Sequence, residues 1–134
     1  KDMRGFHGDI EQMTMENTDF RHVVYTGAHA QLVLMSLKPG EAIGEETHNG
    51  NDQFFRFERG TGRVEIDGNE YQVTDGSAII VPAGARHNII NTSDTEPLNM
   101  YTLYTPPHHK DGIVRATKED AVQDAPEFDG TTTE

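Results

Sequence analysis

From Phe20 onward the chain breaks into short apolar bursts separated by turn-forming residues. Phe20 to Thr26 carries Val23, Val24 and Tyr25 and stops at Gly27, while Gln31 to Leu37 stops at Lys38-Pro39-Gly40. β-Branched and aromatic residues bounded by Gly and Pro are the composition of strands. Ala42 to Thr47 is a weaker strand, closed by His48-Asn49-Gly50-Asn51-Asp52. Gln53 to Arg59 alternates around Phe55 and Phe57 and turns at Gly60-Thr61-Gly62. Arg63 to Ile66 and Glu70 to Val73 flank Asp67-Gly68-Asn69, whose Asp-Gly pair suits a hairpin that needs positive φ. Ser77 to Val81 ends at Pro82-Ala83-Gly84, Arg86 to Asn91 follows, and Leu98 to Tyr104 runs into Pro106-Pro107.

Eight or nine short strands at nearly regular spacing predict an all-β sandwich or barrel. No helical pattern long enough for a βαβ unit separates them. Residues 1–19 are polar, with Met3, Met13 and Met15 scattered among charges, and are expected to form an N-terminal arm over the barrel or against a partner chain. The barrel is expected at 20–107 and a C-terminal extension at 108–134. In that extension Thr117 is placed as an N-cap, Glu119 and Asp120 in the first turn, and Pro126 ends a short helix near Asp124. The acidic, Gly/Thr-rich stretch to Glu134 reads as a mobile tail.

Composition narrows the partners. A length of 134 residues allows one core, and 34% hydrophobic residues without Trp make it a lean one. Eleven Lys+Arg against 23 Asp+Glu leave a net charge of −12, a field that repels nucleic acid, and no basic stripe offsets it. With no cysteine there is no disulfide scaffold or thiolate site. No apolar run approaches the roughly 18–20 residues needed to span a bilayer, so no membrane partner is expected. No charged-then-apolar leader stands at Lys1, and a cytoplasmic location is the default expectation.

The chemistry-bearing residues are Glu46, His48, Gln53 and His87. Extended side chains alternate faces, so Glu46 and His48, two apart, point the same way. Gln53 follows a gap containing Asn49-Gly50-Asn51, and His87 opens a later strand just past a fixed turn. Two imidazoles, one carboxylate and one carboxamide oxygen suit a divalent transition ion: Mn, Fe, Co, Ni or Zn. Imidazoles disfavour Ca or Mg. An octahedral ion so held keeps two positions for water or a bidentate substrate. A bulge that shifts the register would turn Glu45 inward in place of Glu46.

These residues resemble the two motifs of the cupin superfamily. Gly40, Glu46, His48, Gln53 and Gly60 fall on the spacing of the first, and Gly76, Pro82, Gly84, His87 and Asn91 match the second throughout. The resemblance covers about Leu32 to Tyr104, and the nearest look-alikes are small single-domain cupins labelled phosphomannose-isomerase-like. It implies a double-stranded β-helix (jelly-roll) barrel, one metal near the barrel axis, a small-molecule ligand and often a homodimer. Two positions depart from the pattern: the first family His is Glu46, and the family Glu is Gln53. The carboxylate has in effect moved between ligand positions, leaving the formal ligand charge unchanged.

The remaining residues take plainer readings. Phe55 and Phe57 are core; Tyr101 and Tyr104 are packing residues, one of which could reach the cavity as a proton donor. Met35, Met100 and Thr102 lie on strands that could line it. Arg56 and Arg86 point away from the metal by alternation, His7 is a surface residue, and His108-His109 fall outside the barrel with no second metal site. Three functions follow: a metal-dependent enzyme on a small oxygenated metabolite (a sugar-like isomerase or a dioxygenase), a non-catalytic metal- or ligand-binding sensor, and a metal-free barrel. In the last, the four site residues would bond to one another or to water. No catalytic acid or base stands out along the chain.

Overall fold

In a computed structural model that describes residues 2–134, the chain runs α1 (Ile10–Glu16), β1 (Arg21–Thr26), β2 (Gln31–Leu37), β3 (Glu46–Thr47), β4 (Asp52–Arg59), β5 (Thr61–Ile66), β6 (Asn69–Thr74), β7 (Ala78–Val81), β8 (Arg86–Asn91), β9 (Leu98–Thr105), β10 (Val114–Arg115) and α2 (Lys118–Gln123). Lys1, the first residue of the expected arm, lies outside the described residues. Six strands form one sheet in the order β10-β1-β2-β9-β4-β7, and four form a second in the order β3-β8-β5-β6. All pairings are antiparallel. The two sheets are the halves of a double-stranded β-helix, with the short C-terminal helix α2 outside it.

Period-two alternation puts Gln53, Phe55 and Phe57 of β4 on the inner face. Met35 and Leu37 of β2 and Leu98 and Met100 of β9 join them, facing Val64 and Ile89 of the second sheet in one core cluster. Burying each such side chain stabilises the fold by about 1.5–3 kcal/mol, which is why both sheets keep their register. Met100 is thus core, and Thr102 is buried on the same face of β9.

Turn chemistry fixes the connections that matter for the site. Ile66 pairs with Asn69, so Asp67-Gly68 is a two-residue hairpin loop, with φ of 46° and 82°. The hairpin tip docks on the start of β8: Asp67 N–H donates to the Arg86 carbonyl (2.8 Å), and the Arg86 N–H donates to Asp67 Oδ1 (2.9 Å). At Gly60, φ is 96° and a Cβ would run into the Pro97 carbonyl, so the β4–β5 turn admits no side chain. Asn91 Nδ2 faces the carbonyls of Leu37, Lys38 and Glu96 at 2.9–3.1 Å, which makes this motif residue a clasp between loops.

Three elements differ from the sequence pattern. Ala42 to Thr47 is not one strand: Ala42 makes a single bridge to Ile90, and the chain breaks at Gly44 (φ 111°), whose N–H donates to Asn88 Oδ1. The polar arm contains α1, N-capped by Asp9, which accepts from Gln12 N–H. With Thr14 its one buried residue, it shows no apolar stripe to detect. β10, read as extension, pairs with β1 at the sheet edge. Helix α2 starts as expected, with Thr117 Oγ1 accepting from Asp120 N–H at 3.1 Å. Beyond it, Phe128 N–H donates to the His108 carbonyl and Thr133 N–H to that of Thr26. Among the described residues no helix is long and apolar enough to cross a membrane.

Candidate metal centre

The β3–β8 ladder does the convergence. Glu46 and His87 are direct cross-strand partners, so residues 41 positions apart share one face. His48 follows β3 and is held by its own backbone, whose carbonyl accepts from Gly84 N–H at 2.9 Å in the β7–β8 turn. Glu46, His48 and His87 each offer a ligand atom within 4.8 Å of the others. The His48 and His87 ring centroids are 5.3 Å apart, and His48 Nε2 lies 3.1 Å from Glu46 Oε2. Glu45 takes the other direction: it is exposed and pairs with Arg86, so the inward carboxylate is Glu46. Arg86 and Arg56 both face away from the cluster, Arg56 toward Glu58.

His87 is 4% exposed, and its Nδ1 sits 3.1 Å from the Ala85 carbonyl. A carbonyl only accepts, so Nδ1 carries the hydrogen and Nε2 turns a lone pair inward, where it has no partner. Gln53, on the inner face of β4 in the opposite sheet, donates from Nε2 to Thr102 Oγ1 (3.0 Å) and leaves Oε1 buried and unpartnered. An unpaired buried acceptor costs about 1–3 kcal/mol, and neither atom has a protein partner that offsets it. Burial pushes the Glu46 carboxyl up, but its hydrogen bond with His48 and the nearby positive charge, that of Arg21 included, outweigh this and hold it below its ordinary value. The two imidazole nitrogens and the carboxylate that lie within reach of one another form a donor set that fits a divalent transition ion.

Around the cluster lies a group that the sequence did not point to. The Pro106-Pro107 turn is followed by a fold back across the barrel: Gln31, fully buried in β2, accepts at Oε1 from the N–H of both His108 and His109 (3.1 and 3.0 Å). Its Nε2 donates to Thr26 Oγ1 and the His109 carbonyl. His108 and His109 therefore do not stay apart from the barrel site. The His108 ring lies 4.4 Å from that of His48, and His109 Nε2 is 3.2 Å from the Tyr104 hydroxyl. Tyr104 is itself 5.8 Å from His48, ring to ring, and burial followed by the Glu46 charge pushes its hydroxyl far above the ordinary range. Burial pushes His109 down to about 2, with Arg21 and His108 adding to the effect, and burial also lowers His108.

Two cavities touch the cluster. One of about 510 Å³ reaches His87 and is walled by Glu45, Glu65, Asp67, Glu70 and Arg86. The other, about 250 Å³, reaches Glu46 and is lined by Arg21, His108, His109 and Lys118 with apolar neighbours.

Fold and site together define a jelly-roll barrel with a candidate His/Glu metal centre. A family model described as Cupin domain matches residues 33–104, and the chain belongs to the cupin family. It is 48% identical over 120 residues to the uncharacterized protein YrkC of Bacillus subtilis (strain 168), covering 85% of this chain and 64% of that protein's length. It is 43% identical over 109 residues to the uncharacterized protein L612 of Acanthamoeba polyphaga mimivirus, covering 79% and 68% of the two chains. The crystal structure of BH2720 from Bacillus halodurans superposes with a TM-score of 0.88 at 41% identity, over 90% of this chain and 96% of that one.

Proposed function

We propose that this cupin is a metal-dependent enzyme that holds one divalent transition ion through Glu46, His48 and His87, with Gln53 as a neutral fourth donor, and acts on a small oxygenated metabolite. The observation that carries this is the buried, unpartnered Nε2 of His87 within the three-residue cluster. A metal-free barrel would bond these residues to one another or to water. Here His48 and Glu46 bond to each other, while His87 Nε2 and Gln53 Oε1 have no protein partner.

An ion in this position supplies Lewis acidity toward a substrate oxygen. The chain supplies the rest. Tyr104, held protonated by burial and braced by His109, keeps an O–H available beside His48. Half-buried His108 lies against His48 in the cavity wall and offers a ring nitrogen for proton transfer. Two proton carriers beside the cluster favour isomerisation of a carbonyl-bearing acid or sugar over dioxygenation. A homodimer goes with this reading: exposed Met3, Phe6 and Met15 on the N-terminal arm are apolar surface that a second copy would cover.

Elemental analysis of the purified protein, followed by reconstitution with Mn, Fe, Co, Ni or Zn, tests the metal. Turnover and solvent-deuterium incorporation for carbonyl-bearing acids and sugars, with and without O₂, test the chemistry. One ion per chain with carbon-bound deuterium exchange is expected. Stoichiometric metal with neither exchange nor turnover would make this a binding or sensing cupin instead.

A further inference from the structure

The cavity of about 250 Å³ beside Glu46 is lined by a buried cation that makes no ion pair among the described residues. Arg21 opens β1 on the inner face and is 6% exposed, and its Nε is buried without a partner. Among the described residues no ion pair and no side-chain hydrogen bond engages its guanidinium; its companion is the Phe20 ring, 5.4 Å from the guanidinium carbon. The neighbouring cation, Lys118 at the start of α2, lines the same cavity and donates Nζ to the Ala42 carbonyl at 2.6 Å. Two cations against the single carboxylate of Glu46 make this cavity net positive, in a chain whose net charge is −12.

Such an arrangement is costly when empty. The buried Nε of Arg21 loses water that no protein acceptor replaces, and the cation–π contact with Phe20 offsets part of that cost. The chemistry that recovers the rest is a carboxylate, which accepts two parallel N–H bonds from the planar fork. The cavity volume is below the range of drug-sized ligand sites, which restricts the occupant to a small metabolite. Glu46 and His108 line the same cavity, so an occupant that reaches them stands next to the Glu46–His48–His87 cluster.

We propose that Arg21, assisted by Lys118, anchors the carboxylate of a small hydroxy or oxo acid in this cavity and so turns the adjacent oxygen toward the Glu46–His48–His87 cluster. The proposal rests on the reading of those three residues as metal holders and specifies the substrate class for that site. Arg21 acts here as a binding and orienting residue.

The test is calorimetric titration of glycolate and pyruvate, and of the neutral glycolamide and pyruvamide, into the full chain reconstituted with Co²⁺ and into the metal-free chain. Wild type, Arg21→Gln and Arg21→Lys are compared, with metal content measured on the same samples. Wild type should bind at least one acid about tenfold more tightly than its amide, a comparison that needs no variant to fold. Arg21→Gln should keep one ion per chain, weaken the acid about tenfold or more and move the amide less than about twofold, with Arg21→Lys in between. Unchanged acid affinity in Arg21→Gln at full metal content overturns the proposal. So does a wild type with no preference for acid over amide. A wild type that takes up no metal overturns the reading of the cluster alone, and Arg21 is then judged by the same acid–amide difference in metal-free protein.

Discussion

The two cavities that touch the ligand cluster differ in the opposite sense to their sizes. The larger, about 510 Å³, is bounded by four carboxylates on or near the surface, and its arginine, Arg86, is already paired with Glu45. Charges so placed are hydrated and screened, and a surface pair of this kind is worth about 0–1 kcal/mol. The smaller, about 250 Å³, brings Arg21, buried and unpaired, to the side of Glu46. Its field acts through a medium of lower dielectric and is correspondingly stronger. Desolvation, not volume, therefore decides which side receives an anion. Arg21 is also one of the charges that keep Glu46 ionised.

The comparison can be broken most forcefully at the cluster both cavities share. His87→Ala and His48→Ala should each weaken divalent-ion binding by about a hundredfold or more while the chain stays folded, as read by elemental analysis and circular dichroism. Full metal stoichiometry in both variants would remove the basis for comparing the cavities at all. A second prediction concerns the wall that only the smaller cavity has. Gln31→Ala leaves the N–H groups of His108 and His109 without their shared acceptor, and should cost about 1–3 kcal/mol in urea unfolding. It should also weaken acid binding with metal content unchanged; a variant as stable as wild type would show that Gln31 does not hold this wall.

Acid sensitivity gives a third test. His109 is pushed down to about 2 in the folded chain, while the unfolded chain titrates near its ordinary value of about 6.5. Its contribution is thus fully present above that ordinary value and is lost progressively as pH falls toward about 2, because the unfolded state binds the extra proton first. Between pH 6.5 and 5 this residue alone should remove about 1.7 kcal/mol, and His109→Gln should flatten the stability–pH curve by that amount. Parallel curves for wild type and variant would mean that His109 is not buried as a neutral ring. The smallest effect is expected on the acidic side: Glu65→Gln and Glu70→Gln should change stability by no more than about 0.5 kcal/mol and acid binding by less than about threefold. A tenfold gain in acid affinity would move the ligand site to the larger cavity.

Much of the barrel was legible in short stretches of sequence. Asp67-Gly68 gave the hairpin, Thr117 the start of α2, and the Gln53–Phe55–Phe57 alternation the inner face of β4. Glu46, His48 and His87 were legible because their spacing follows two motifs whose strands pair. By contrast, α1 has too little buried surface to leave a periodic signal, and β10 is two residues long. His108 and His109 looked like a tail beyond a proline turn because nothing near them in sequence shows what brings them back.

Local alternation and turn preference act within a few residues, so the chain by itself determined its longer strands, the Asp67-Gly68 hairpin and the three side chains with ligand chemistry. What stands beside those side chains was decided only by tertiary structure. Gln31 reaches 77 positions along the chain to fold His108 over the barrel, and β1 carries Arg21 to a cavity completed by α2. Burial then gives these groups properties that their sequence neighbours do not foretell: a guanidinium without a partner, a neutral histidine and a tyrosine hydroxyl that keeps its proton.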